Sequence, residues 1–176
     1  MVEFLSRPAA YPHPARRVDR RQTHVSQVFL AGDFAYKLKK PVKFPFLDAS
    51  TVALRRTFCR LELSLNRRLA PRVYLGMVPI VERAGGLALG GRGRVVDWVV
   101  KMRRLPDERM LDRLVARRRV GRGDMGRIAD RLLPFFRRAA RSRAIDHYGL
   151  PAQVAALVLG KPVPVRTLSV GRPFGA

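Results

Sequence analysis

The stretch VFLAGDFAYKLKKP, from Val28 to Pro41, constrains the fold more than any other part of the chain. Two apolar runs flank Gly32-Asp33, a dipeptide suited to a tight turn, so the stretch reads as a β-hairpin. In the second run Phe34, Tyr36 and Leu38 point one way and Ala35, Lys37 and Lys39 the other, because strand side chains alternate. Pro41 and Pro45 end the strand. The hairpin poses a choice. Its lysines could form a basic strip for nucleic acid, or one lysine could be set into a sheet to hold a phosphate.

The rest of the chain supplies the surroundings. Pro8, Pro12 and Pro14 make residues 1–15 an expected irregular arm, and a strand is expected between Val18 and the turn at Gly32. Ser50 reads as the N-cap of a helix to about Leu69, with Leu54, Phe58, Leu61, Leu65 and Leu69 on one apolar face and Pro71 as its stop. Val73–Val81, Leu87–Leu89 and Arg94–Met102 read as strands, separated by Gly85-Gly86 and by Gly90–Gly93. From Pro106 the period becomes helical. Helices are expected near Asp107–Arg118, near Asp124–Arg143 with a kink at Pro134, and over Pro151–Leu159 with Gly160 as the stop. No internal repeat is visible.

Charge is the most extreme bulk property: 36 Lys and Arg against 13 Asp and Glu, a formal net charge of +23. A field of that size attracts polyanions, so non-specific polyanion binding is expected. Apart from Lys37, Lys39, Lys40, Lys43, Lys101 and Lys161 the basic residues are arginine, a bias that GC-rich coding also produces. Lys39, Lys40 and Lys43 are expected to be solvated, Asp97 to make a surface ion pair and Trp98 to pack on the sheet. The arginine run Ala116–Gly123 reads as a solvated loop. The single Cys59 precludes an internal disulfide, and His13, His24 and His147 lack ligand spacing. The start MVEFLSRP does not read as a signal peptide, and no window reaches the roughly 18 apolar residues of a membrane span, so neither is expected. A cytoplasmic protein with no membrane partner is expected.

Ala35 and Lys37 stand side by side on one sheet face, which leaves room for a flat ring over the alanine while the ammonium reaches the ring's phosphates. A lysine is floppy, so such a site works only if a carboxylate holds it. Between Ala49 and Val81 the acidic residue is Glu62, beside the helix's apolar stripe and so facing the sheet, where it needs a cation. Lys37 is the expected partner.

The order FAYK, then a helix with an inward Glu, then three strands, resembles the small lobe of protein kinase-like enzymes. More widely, THVSQVFLAGDFAYKLKKPVKFPFLDASTVALRR, LNRRLAPRVYLGMVP and VVDWVVKMRRLPDERMLDRL resemble the N-terminal part of bacterial aminoglycoside phosphotransferase-like proteins, over about Thr23 to Tyr148. The resemblance implies an α+β fold. A kinase-like small lobe (16–105), an antiparallel sheet of about five strands with one packed helix, is followed by helices of an incomplete large lobe (106–159) and an irregular tail (160–176). It implies that Lys37 contacts ATP phosphates, that Glu62 orients Lys37, and that the segment after Met102 is the hinge whose backbone meets adenine, over Ala35. In the phosphate-covering turn QTHVSQ, which has no glycine, Thr23, His24 and Ser26 take the donor role.

Such enzymes need a catalytic Asp loop, an Asn beyond it and a metal-binding Asp. This chain offers IDHYGLP, with Asp146 and His147 in the wrong order, and nothing acidic after Asp146. The expectation is therefore a nucleotide-binding portion, truncated before the catalytic loop, holding ATP weakly, with Mg²⁺ only where a complete site exists. The implied partners are a nucleotide and a missing large lobe or fused P-loop ATPase-like domain. Whether the chain is an enzyme stays open. The alternative is an arginine-rich nucleic-acid-binding protein without activity.

Overall fold

In this computed structural model, which describes residues 1–45 and 47–158, the Gly32-Asp33 hairpin lies inside a larger antiparallel sheet. The strands are β1 (Val18–Gln22), β2 (Ser26–Ala31), β3 (Phe34–Lys39), the short pair β4 (Lys43–Phe44) and β5 (Leu47–Asp48), β6 (Tyr74–Arg83), β7 (Gly86–Leu89) and β8 (Arg94–Arg103). Among the described residues six of them form one sheet in the order β1-β2-β3-β8-β6-β7, while β4 and β5 pair separately. The fold is mixed α and β as expected, with six strands in the sheet rather than about five. The additional strand is β1, whose residues VDRRQ pair with β2 from Val18–Ala31 to Gln22–Gln27. It is a polar edge strand without apolar alternation, so the pattern does not mark it. Gly32 has φ +55°, and a Cβ there would come within 2.8 Å of the Pro14 carbonyl. Only glycine fits that turn without strain.

The two faces of β3 are covered differently. Tyr36 and Leu38 join Phe29, Ile80 and Val99 in a buried cluster that Leu5 and Tyr11 complete. The N-terminal segment is thus not an irregular arm. It contains α1 (Val2–Leu5) and a 3-10 turn at Pro8–Ala10, and the Tyr11 hydroxyl donates to the Leu5 carbonyl. Its prolines suggest looseness, but the apolar ladder on β3 must leave water, and Leu5 and Tyr11 provide the cover. His13 Nε2 lies 3.1 Å from the Tyr36 hydroxyl, whose pKa burial pushes up to about 12.

The opposite face carries α2 (Val52–Arg67), packed on β8 and β6. Its N-cap is Thr51 rather than Ser50: Thr51 Oγ1 accepts from the Leu54 N–H at 3.2 Å, while Ser50 is turned back to bond Asp48 through both its N–H and its hydroxyl. The helix stops at Arg67, whose guanidinium donates to the Tyr74 and Leu75 carbonyls. Its inner side is centred on Arg55, Cys59 and Glu62, flanked by half-buried Leu54, Phe58 and Leu61, and Leu65 is exposed. The leucine face read from the sequence is therefore rotated by part of a turn, because the strongest inward contact is ionic. Arg55 Nε lies 3.0 Å from both Asp97 carboxylate oxygens, and its Nη1 donates to the Ala49 and Ser50 carbonyls at 3.0 and 2.9 Å. Asp97 is 1% exposed, so it is a buried counter-ion and not a surface one. Trp98 beside it is half-buried, with the Arg56 guanidinium 5.0 Å from the ring centre.

After a 3-10 turn at Asp107–Arg109 come α3 (Leu111–Ala116) and α4 (Arg122–Arg137). The turn between them is exposed, and Arg118 there takes the left-handed φ of +53°. The α4 helix is shorter than the expected Asp124–Arg143 and ends one turn beyond Pro134. Phe135 lies under the Arg68 guanidinium, 4.4 Å away, and Ile128, Leu133 and Phe136 are exposed. An open cavity of about 410 Å³ lies among Leu69, Leu111, Leu114, Ile128 and Leu132, rimmed by arginines. A second compact unit starts at Ala139. It contains α5 (Arg143–Tyr148), which the sequence reading missed although Ser142 caps it by accepting from the Ile145 N–H, and α6 (Pro151–Val158). Leu159, the stop at Gly160 and the tail 160–176 lie outside the described residues, as does Phe46. No helix among the described residues is long and apolar enough to cross a membrane.

Removing one member of a buried ion pair strands the other charge, at about 3–5 kcal/mol. Asp97→Ala should therefore destabilise the protein by about that amount in urea unfolding. A midpoint equal to that of the unsubstituted protein would contradict the role of this pair.

Candidate functional site

The site grows from the β3 alternation and one helix position. Lys37 and Lys39 project from the face of β3 that meets α2, and Glu62 projects from α2 toward them. Lys37 Nζ lies 2.8 Å from Glu62 Oε1, so the ion pair expected from the sequence is formed. Lys39 Nζ bonds the other carboxylate oxygen, Oε2. Lys39 is not solvated, contrary to the expectation; its side chain is 13% exposed against 26% for Lys37 and 10% for Glu62. The period-2 argument that put Lys37 beside Ala35 applied equally to Lys39, and that signal was available. Lys43 pairs with Asp48 at 3.6 Å and stays exposed, while Lys40 is half-buried.

Burial alone would raise the Glu62 carboxyl. The hydrogen bonds from Lys37 and Lys39 and their positive charge outweigh that penalty and hold it below the ordinary carboxylate value. Tyr74 on β6 is displaced upward, first by burial and then by the Glu62 charge. Cys59, one turn before Glu62 on α2, is pushed up to about 11, chiefly by burial. Burial thus disfavours the thiolate, the nucleophilic form, at neutral pH.

Around this cluster the sheet register sets the neighbours. Lys37 stands between Val28 of β2 and Val100 of β8, and Ala35 between Leu30 and Met102. Ala35 is buried and Met102 half-buried, which makes a small apolar floor next to the Lys37 ammonium. Met102 lies within β8, and the following N–H groups are committed: Arg103 N–H to the Val73 carbonyl and Arg104 N–H to the Asp33 carbonyl, both at 2.8 Å. The backbone donors directly after Met102 are thus used within the fold.

Of the residues read as phosphate donors, Thr23 and His24 lie in the β1–β2 turn and Ser26 opens β2, and they differ in what they can offer. The Thr23 hydroxyl accepts from the Ser26 N–H at 3.1 Å and donates to the Ser26 carbonyl at 3.2 Å. His24 is exposed. Ser26 is fully buried, directly across from Lys39, and its Oγ is one of two buried side-chain polar atoms among the described residues without a hydrogen-bond partner; the other is Gln27 Oε1. Arg55, which holds α2 on the sheet through Asp97, is the residue the sequence pattern did not single out, and Asp97 was expected only as a surface ion-pair partner. An arginine on the helix's inner side is the signal that could have found the pair.

No three His, Cys, Asp or Glu side chains converge on a metal-sized space among the described residues. Asp107 pairs with Arg21, and Asp124 caps α4 through the Gly121 N–H and pairs with Arg127.

No family model matches the chain. A 138-residue stretch is 39% identical to uncharacterized proteins of Mycobacterium tuberculosis and Mycobacterium bovis, over 78% of this chain and 26% of each relative. The chain thus spans about a quarter of the length of the curated relatives it matches.

A group whose folded pKa lies below its unfolded value adds stability above the unfolded pKa, and that stability is lost as pH falls through the folded value. Glu62 is such a group. Glu62→Gln should be clearly less stable than the unsubstituted protein at neutral pH, with the gap closing below about pH 4. Urea midpoints of both proteins between neutral and acid pH measure this. A gap constant across the range would contradict the ion cluster.

Proposed function

We propose that the chain is the nucleotide-binding portion of an aminoglycoside phosphotransferase-like small-molecule kinase, with a protein kinase-like small lobe as its fold. The observation that carries this reading is the Lys37–Glu62 pair, 2.8 Å between Nζ and Oε1, beside the Ala35–Met102 floor. The strand order supports it too, with α2 between β3 and β6 and its carboxylate directed to the lysine.

In this reading Ala35, having almost no side chain, leaves space for the adenine, and Leu30 and Met102 flank it. Lys37 uses N–H groups not engaged by Glu62 for the phosphates, and Glu62 fixes the direction of that ammonium. Such a contact contributes orientation and charge neutralisation, the terms on which phosphoryl transfer depends. Mg²⁺ enters this reading only where a complete site exists. The expected behaviour of this chain is weak ATP binding with no phosphoryl transfer.

The test is thermal unfolding with ATP, in salt high enough to screen the net charge of +23, about 0.3 M. A ligand at about 100 times its Kd stabilises the native state by about 2.7 kcal/mol, so even weak binding becomes visible at millimolar ATP. ATP should raise the melting temperature, Lys37→Met should remove most of the rise, and adenosine should give little. An equal rise in Lys37→Met, matched by single-stranded oligonucleotide at the same charge concentration, would favour a general polyanion binder instead.

A further inference from the structure

Glu62 holds two ammonium groups, one on each carboxylate oxygen, where one would neutralise it. The two lysines are not equivalent. Lys39 is the more enclosed, 13% exposed against 26%, and stands at the end of β3 opposite the fully buried Ser26. Lys37 is one rung further along the same face, next to Ala35 and nearer to Met102. Among the described residues Glu62 is the carboxylate that pairs with either of them, so the cluster carries one surplus positive charge in a largely enclosed place.

If Lys37 were the sole partner of Glu62, an arriving phosphate would compete for it and leave a carboxylate only 10% exposed without a cation. Desolvation would then favour the protonated acid, and Lys37 would lose the group that aims it. A second ammonium prevents this. We infer that Lys39 is the standing partner of Glu62 and Lys37 the exchangeable one: Lys39 keeps the carboxylate ionised and in position while Lys37 turns to the phosphates of a bound nucleotide. The inference rests on the nucleotide reading above and assigns Lys39 as a positioning residue. It also gives the surplus charge a role, since an anionic ligand completes the cluster.

The groups facing Glu62 are few. β3 contributes the two lysines, β6 contributes Tyr74, and α2 itself contributes Cys59; both of the latter are displaced upward by burial first. Asp97 of β8 is held by Arg55, and Ser26, Val28 and Val100 do not titrate. Glu62 is therefore the group expected to take up a proton if its cation is lost.

The experiment is the pH dependence of ATP affinity, by calorimetry in about 0.3 M salt, for the unsubstituted protein, Lys39→Met, Lys39→Arg, Lys37→Met and Lys39→Met/Glu62→Gln. Each affinity is read as its ratio to that of the unsubstituted protein at the same pH, which removes the titration of the terminal phosphate of ATP, whose second pKa is about 6. Where the lysine charge is kept, this ratio should be flat between about pH 6 and 8. Lys39→Met should bind about tenfold more weakly at the alkaline end and recover toward the acid end, because nucleotide binding would now require Glu62 to gain a proton. The proton uptake appears as a dependence of the measured heat on buffer ionisation in excess of that of the unsubstituted protein, where the terminal phosphate of ATP alone contributes. Lys39→Arg should restore the flat profile, and the double variant should lose the pH dependence. Melting curves without ligand identify any variant that fails to fold, and Lys39→Arg, which keeps the charge, then carries the comparison with Lys37→Met. If Lys39→Met matches the unsubstituted protein at every pH while Lys37→Met loses binding, the inference is wrong and the nucleotide reading stands. If Lys37→Met also binds normally, both are wrong.

Discussion

A buried arginine cannot be left with unused donors, and this requirement organises the face of the sheet that carries the site. Arg55 spends its guanidinium on Asp97 of β8 and on the Ala49 and Ser50 carbonyls ahead of α2. One side chain thereby joins the incoming loop, the helix and a central strand. A helix turns about 100° per residue, so fixing Arg55 also fixes Glu62, about two turns later and on the same side. At the far end of α2 Arg67 anchors to the β6 backbone. The carboxylate between these anchors has little freedom, so the lysines come to a fixed acceptor. This is the reverse of a surface ion pair, in which two long side chains find each other and gain little.

The parts of this arrangement visible in the sequence were those governed by short-range periodicity. The alternation through Phe34–Lys39 placed Lys37 on the α2 face, and the turn glycines separated β2 from β3 and β6 from β7 from β8. The lone acid at Glu62 then required a cation. What escaped was governed by contacts between distant segments. Lys39 looked like a solvated strand lysine because its burial depends on sharing Glu62. Arg55 and Asp97 look like surface charges until α2 docks, since hydrophobic periodicity counts an inward arginine as polar. Thr51 displaced Ser50 as the cap because Asp48, three residues before Thr51, captures the serine. β1 gave no strand signal, since its polar residues are held by backbone pairing to β2 and by partners distant in sequence, Arg21 by Asp107 and Asp19 by Arg104.

The N-terminal cover has a consequence for how the chain assembles. Leu5 and Tyr11 close a cluster whose other members include Phe29, Tyr36, Ile80 and Val99, spread over most of the first unit. Contacts between such distant residues form only after long loops have closed, which slows folding relative to a chain of local contacts. During synthesis, residues 2–11 emerge long before β8 exists, and α1 is too short to persist as a helix in water. The apolar ladder of β3 emerges later but also waits for β8 before the cluster can close, a window in which chaperones or neighbouring chains can bind it. The cover lies early in sequence but is completed late. Competition for that exposed surface acts on the chain before any ligand meets the lysines.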